Sequence, residues 1–119
     1  MRAGVVFLLF AMFSVLATAC DPGIGITIVN RTASKICWYE SEKEVGNPKW
    51  CADVQPGQTV EYSTICTSDW QQLVLLTIGA YGPQIYKRSA TCGEWEQSGA
   101  RVTVTQSGEE FIVTDSLPD

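Results

Sequence analysis

Two groups of glutamates are spaced so that their carboxylates can act together. Glu94 and Glu96 flank Trp95, and alternate residues share a face wherever the backbone is extended. The second group consists of Glu40, Glu42 and Glu44. Paired carboxylates are the chemistry of glycoside hydrolysis, so a carboxylate glycosidase is one hypothesis. We prefer the alternative that these charges coat a soluble surface, where such side chains are usually found.

The chain contains no histidine, which narrows the catalytic options. Ser-His and Cys-His nucleophile arrangements are excluded, and no glycine-rich phosphate loop follows a predicted strand. The cysteines are widely separated and form no C-x-x-C pair, so a zinc site is not expected. We therefore predict a protein that is not an enzyme and that carries no metal and no cofactor.

Four tryptophans occur in this short sequence, more than a core of this size requires. Tryptophan beside acidic side chains is a common sugar-binding arrangement, and tryptophan is enriched in protein interfaces. Trp50 and Trp95, together with Glu94 and Glu96, are therefore possible ligand contacts. The alternative for both tryptophans is a structural role, in which they cover the ends of the domain and pack on the disulfides.

The cysteine count suggests an oxidising compartment. There are five cysteines, and an odd number leaves one thiol unpaired. If Cys20 is set apart, the other four form two disulfides: they are Cys37, Cys51, Cys66 and Cys92. Three connectivities are possible, and we prefer the pairing of sequence neighbours.

The N-terminal residues 1–19 have the features of a secretory signal peptide. Arg2 precedes an apolar run over residues 5–13, and the segment closes on small residues. The run is shorter than the roughly 20 apolar residues of a membrane span, and it fits the core of a signal peptide. Ala17-Thr18-Ala19 also satisfies the small-x-small rule of an ordinary signal peptidase.

Residues 16–20, Leu-Ala-Thr-Ala-Cys, resemble the lipobox of bacterial lipoproteins. The family usually has leucine three residues before the cysteine, whereas here it stands four residues before, at Leu16. The resemblance implies that Cys20 carries fatty acids such as palmitate and that the protein is exported and anchored to a cell membrane. Asp21 resembles the residue that retains such proteins on the inner membrane. Residues 20–25 then form a short tether.

The remaining sequence predicts one all-β domain over residues 26–115, with a tail at 116–119. Ile24, Ile26 and Ile28 alternate with small or polar residues, the period of a strand. Further strands are predicted at 35–40, 50–54, 59–63, 73–78, 84–88, 101–105 and 109–114. The run at 73–78 is apolar on both faces, which is typical of a doubly covered strand. Residues 91–99 have room for one helical turn.

Turn residues fix the connections between these strands. Gln55-Pro56-Gly57-Gln58 has strong turn chemistry, and we predict a hairpin between strands 50–54 and 59–63. Asn30-Arg31-Thr32 matches a glycosylation sequon, but in a bacterial lipoprotein Asn30 shapes a turn. Seven or eight short strands predict an antiparallel β-sandwich or small barrel. Residues 26–32, 56–58 and 82–87 together resemble small exported β-sandwich proteins.

The formal net charge of −5 argues against nucleic acid and anionic lipid as partners. We therefore expect a non-enzymatic envelope lipoprotein that acts as a binding module for a membrane or envelope protein. The second hypothesis is an inhibitor of an extracytoplasmic hydrolase such as lysozyme, because an acidic domain suits a basic enzyme. A carbohydrate-binding or glycosidase domain is the third.

Overall fold

The computed structural model describes residues 23–119, which form two four-stranded sheets. The predicted signal peptide, Cys20 and Asp21 lie outside the described residues. The eight strands confirm the predicted all-β, sandwich-like domain. The strands are β1 (Ile24–Arg31), β2 (Ile36–Tyr39), β3 (Ala52–Val54), β4 (Thr59–Thr64), β5 (Gln71–Ile78), β6 (Gln84–Thr91), β7 (Arg101–Ser107) and β8 (Glu110–Asp115). The helix α1 (Cys92–Ser98) joins β6 to β7.

Sheet A has the strand order β4-β1-β7-β8. β1 runs antiparallel to β4, with Ile24 opposite Thr64, and β7 runs antiparallel to β8. β1 and β7 are parallel, with Ile28 opposite Val102, and this pair departs from the antiparallel arrangement of the other strand pairs. A parallel pair needs a long connection between its strands. Here the connection from β1 to β7 contains β4 of the same sheet and all four strands of the second sheet.

Sheet B has the order β3-β2-β5-β6, and all of its pairs are antiparallel. Ile36 stands opposite Ile78, and Gln71 stands opposite Thr91. The predicted strand at 73–78 and its partner at 84–88 are both present and form the hairpin β5–β6.

The predicted hairpin around Pro56-Gly57 is wrong, although its turn is right. The turn closes with a bond from Gln58 N to Gln55 O of 3.0 Å, and Gly57 adopts a φ of 76°. However, β3 pairs with β2 in sheet B while β4 pairs with β1 in sheet A. The turn is therefore an arch between the two sheets. Local turn chemistry reverses the chain but does not decide whether the strands on either side pair with each other.

The main core lies between the inner faces of the sheets. Sheet A contributes Ile26, Ile28, Val102 and Val104, and sheet B contributes Ile36, Trp38, Val74 and Leu76, all buried. These positions alternate along each strand, as a sandwich requires. Burial of such apolar side chains is the dominant favourable contribution to the folding free energy.

A second, smaller apolar cluster lies on the opposite face of sheet B. It contains Cys37, Tyr39 and Leu75, with Cys51 and Leu73 packed against it. Residues 40–51, which connect β2 to β3, contribute Cys51 to this cluster. β5 is consequently buried on both faces, as its apolar run predicted.

Two disulfides cross-link the domain. They join Cys37 to Cys51 and Cys66 to Cys92, which confirms the predicted pairs of sequence neighbours. A disulfide typically stabilises a protein by about 2–4 kcal/mol. The second bridge ties the loop between β4 and β5 to the first residue of α1.

The strand register defines one end of the sandwich, which we call the α1 end. It comprises Gly23, residues 64–70, α1 and residues 116–119. β1 begins here because Ile24 pairs with Thr64, the last residue of β4. The first strand thus starts two residues before the predicted domain boundary. Residues 116–119 were predicted to be a tail, but Leu117 is buried and Arg88 donates to the carbonyl of Pro118.

Candidate functional site

The loop of residues 40–51 is held in a fixed conformation beside sheet B. It contains two short 3₁₀ turns, Glu42–Glu44 and Pro48–Trp50. The side chains of Ser41 and Asn47 cap them by accepting bonds from backbone N–H groups. The Cys37–Cys51 disulfide closes the loop, and Lys87 of β6 forms an ion pair with Glu42. The loop is therefore preorganised.

Trp50 projects from this loop and is 53% exposed. The Nζ atom of Lys49 lies 5.7 Å from the centroid of its ring, within the range of a cation–π interaction. An exposed tryptophan on a rigid loop offers a large apolar surface at a low cost in conformational entropy. The structure thus keeps Trp50 available as a ligand contact.

Trp95 is not available to a ligand, so of the two alternatives for this residue the burial favours the structural role. Its side chain is fully buried in the main core, and its Nε1 donates to the carbonyl of Gln72 at 3.0 Å. Trp95 lies on the inner face of α1, three residues after the buried Cys92. Residues three apart share a helix face, so both point into the domain.

Glu94 and Glu96 do not form the carboxylate pair that an extended segment would have produced. Both lie on α1, where residues two apart point to nearly opposite sides. Glu94 instead completes a capping box, in which its carboxylate accepts from Thr91 N at 2.9 Å. The backbone N–H and then the hydroxyl of Thr91 lower the pKa of Glu94. The helix therefore removes the basis for the glycosidase hypothesis at this position.

A cleft that sequence reasoning missed lies between α1 and the C-terminal residues. It has a volume of about 390 Å³ and is lined by Glu94, Gln97, Ser98, Ser116 and Pro118. Ser98 and Ser116 share a hydrogen bond of 2.9 Å across it. The lining combines one ionised carboxylate with an amide and hydroxyls, and it lacks a basic side chain. Its chemistry suits hydrogen-bonding groups of a polar ligand and disfavours an anion.

An ion pair between β6 and β8 lies beneath this C-terminal segment. Arg88 donates to both carboxylate oxygens of Asp115, at 2.9 and 3.0 Å, and the hydroxyl of Tyr86 donates to the same carboxylate. Burial raises the pKa of Tyr86, and the hydrogen bond and the charge of Asp115 raise it further, whereas Arg88 opposes them. The cluster therefore keeps Tyr86 protonated to a higher pH than an exposed tyrosine.

This raised pKa predicts a loss of stability at alkaline pH. Above pH 10 the unfolded chain releases the Tyr86 proton while the folded protein keeps it, so the free energy of unfolding falls as the pH rises. Urea unfolding between pH 8 and pH 11 should show this slope, and Tyr86→Phe should reduce it. Tyr81→Phe, which removes an exposed phenol of the β5–β6 turn, is the matched control. An equal slope in Tyr86→Phe and the wild type would contradict the assignment.

Cys37, Cys51 and Asp53 lie close enough together to suggest a metal site. Both sulfurs are joined in a disulfide, however, and zinc is bound by thiolates. Asp53 forms an ion pair with Lys35 at 3.2 Å. The cluster is therefore a structural link around β3.

Within residues 23–119, no helix is long and apolar enough to cross a membrane. Comparison of this chain with protein-family models, with characterised proteins and with solved structures finds no match.

Proposed function

We propose that this chain is an exported, lipid-anchored interaction module without catalytic activity, held on an envelope membrane through Cys20. The observation that carries the proposal is the pairing of cysteines. All four cysteines of the described domain are consumed in two disulfides, which are typical of an oxidising, extracytoplasmic compartment. Cys20 is then the one cysteine left for acylation, at the end of a segment resembling a lipobox.

The surface we assign to partner binding is centred on Trp50. Tryptophan is enriched among residues that dominate binding energy, and here the loop that presents it is fixed by a disulfide, two capped turns and an ion pair. Rigid presentation lowers the entropic cost of binding. A membrane or envelope protein is the partner that fits a module tethered to that membrane.

The anchor is tested by detergent phase partitioning of the full-length chain produced in a bacterium. We expect the wild type in the detergent phase and Cys20→Ser in the aqueous phase, since acyl chains supply the membrane affinity. A non-reducing gel should show that both proteins keep their two disulfides. Recovery of the wild type in the aqueous phase, with an unmodified Cys20 by mass spectrometry, would refute the anchor.

The binding surface is tested by photo-crosslinking in intact cells that make the protein naturally. A benzophenone amino acid at position 50 should give a discrete adduct, whereas the same group at position 109, exposed in the β7–β8 turn, should not. An adduct with a basic cell-wall hydrolase would favour the inhibitor hypothesis, which the net charge of −5 supports. Equal labelling from positions 50 and 109 would contradict the assignment of Trp50.

A further inference from the structure

Two large apolar side chains are exposed at the α1 end. Ile65 is 76% exposed and Trp70 is 59% exposed, and both belong to the loop of residues 65–70 between β4 and β5. Asp69 is the one charged residue in this loop. Large apolar side chains exposed on one short loop are candidates for a surface of interaction.

The backbone of this loop is held in place by a disulfide and by hydrogen bonds to α1. Cys66 is bonded to Cys92 of α1. Cys92 N donates to Trp70 O at 2.8 Å, and Gly93 N donates to Ser68 O at 3.1 Å. The loop therefore presents Ile65 and Trp70 outward on a rigid support.

The chain enters the domain directly beside this loop. Ile24 pairs with Thr64, and a Cβ atom added at Gly23 would lie 3.2 Å from the carbonyl oxygen of Thr64. Gly23 follows Cys20 by three residues, which reach at most about 11 Å when fully extended. If Cys20 is anchored to a membrane, the loop of residues 65–70 therefore lies close to the surface of that membrane.

We propose that Ile65 and Trp70 insert into the interfacial layer of the membrane that anchors Cys20, so that the α1 end faces the lipid. This inference rests on the proposed lipid anchor. Tryptophan favours the membrane–water interface, where its ring is apolar and its N–H finds polar partners. The acidic domain is repelled by anionic headgroups, so the contact is apolar and is made with zwitterionic lipid. Trp50 is carried by a different loop, which connects β2 to β3.

The test uses full-length acylated protein reconstituted into phosphatidylcholine vesicles whose acyl chains are brominated. Brominated chains should quench tryptophan fluorescence, and Trp70→Phe should remove most of that quenching. Trp50→Phe is the matched control and should leave the quenching intact. Trp38 and Trp95 are buried in the core, so neither is expected to contribute to quenching by the lipid. Ile65→Asp should also weaken the quenching, which provides a second variant at an exposed position.

Vesicle flotation separates the failure of this inference from the failure of the anchor. Protein that floats with the vesicles but shows no quenching dependent on Trp70 would overturn the inference and leave the anchor standing. Protein that does not float would overturn both. Crosslinks between two copies through residues 65–70, without quenching, would show that the loop contacts a second copy of the chain and not the lipid. This result would overturn the inference as well.

Discussion

Replacing Trp95 by alanine is expected to lower the free energy of unfolding by about 3–5 kcal/mol, the usual cost of truncating a buried tryptophan. The side chain is fully buried in the main core, between α1 and the two sheets. Its removal opens a cavity and also takes away the donor that bonds the carbonyl of Gln72. Small domains have roughly 5–15 kcal/mol of stability in total, so a large share would be lost.

Trp50→Ala is the matched control for this measurement. Trp50 is half exposed, and its loss should cost less than about 1 kcal/mol, as for other surface substitutions. Urea unfolding followed by far-ultraviolet circular dichroism, with the disulfides intact, measures both variants without relying on tryptophan fluorescence. If the two substitutions lowered the free energy of unfolding by similar amounts, the buried position of Trp95 in the core would be contradicted.

Trp95 is buried and Trp50 is exposed, and the sequence analysis did not distinguish the two. Both stand beside charged residues, and composition treats them alike. The distinguishing signal was present for Trp95: Thr91 and Glu94 have the spacing of a capping box, which marks a helix start. A helix beginning there places Cys92 and Trp95 on one inward face. The helical turn predicted within residues 91–99 is present as α1. The extended interpretation of Glu94 and Glu96 assumed a period of two and therefore placed both carboxylates on one face.

Strands were predicted well because their period of two is a local property of the sequence. The inner positions of β1, β5 and β7 follow directly from alternation, and the double burial of β5 follows from its apolar run. The pairing of strands is not local. The Pro56-Gly57 turn joins β3 to β4, yet these strands belong to different sheets. Which sheet a strand enters depends on contacts across the whole chain, such as the parallel pairing of β1 with β7.

The candidate site was predictable only in part, for the same reason. The exposure of Trp50 depends on the course of residues 40–51 beside sheet B, and the cleft depends on the docking of residues 116–119 against α1. The exposure of Ile65 and Trp70 depends on the loop that carries both residues, which the disulfide between Cys66 and Cys92 fixes in place. These are tertiary relationships, and no periodicity along the sequence encodes them.

The side chain of Asn30 connects segments that are distant in the sequence. Its side chain is fully buried. The amide nitrogen donates to Ser34 O at 2.8 Å and to Val54 O at 2.9 Å, and the amide oxygen accepts from the backbone N–H and the hydroxyl of Thr32. Asn30 thus shapes the β1–β2 turn, as predicted, and also links β1 of sheet A to β3 of sheet B.

Asn30→Ala should therefore cost about 3–5 kcal/mol in the free energy of unfolding, because each buried polar group left without a partner costs about 1–3 kcal/mol. Thr32→Ser is the matched control: it keeps the hydroxyl that donates to Asn30 and should stay close to the wild type. Asn30→Asp keeps the accepting oxygen but loses both N–H donors and buries a carboxylate, so it should be as damaging as alanine at neutral pH. Urea midpoints of the three variants measure these differences. An Asn30→Ala protein within about 1 kcal/mol of the wild type would mean that the link between the sheets does not depend on this amide.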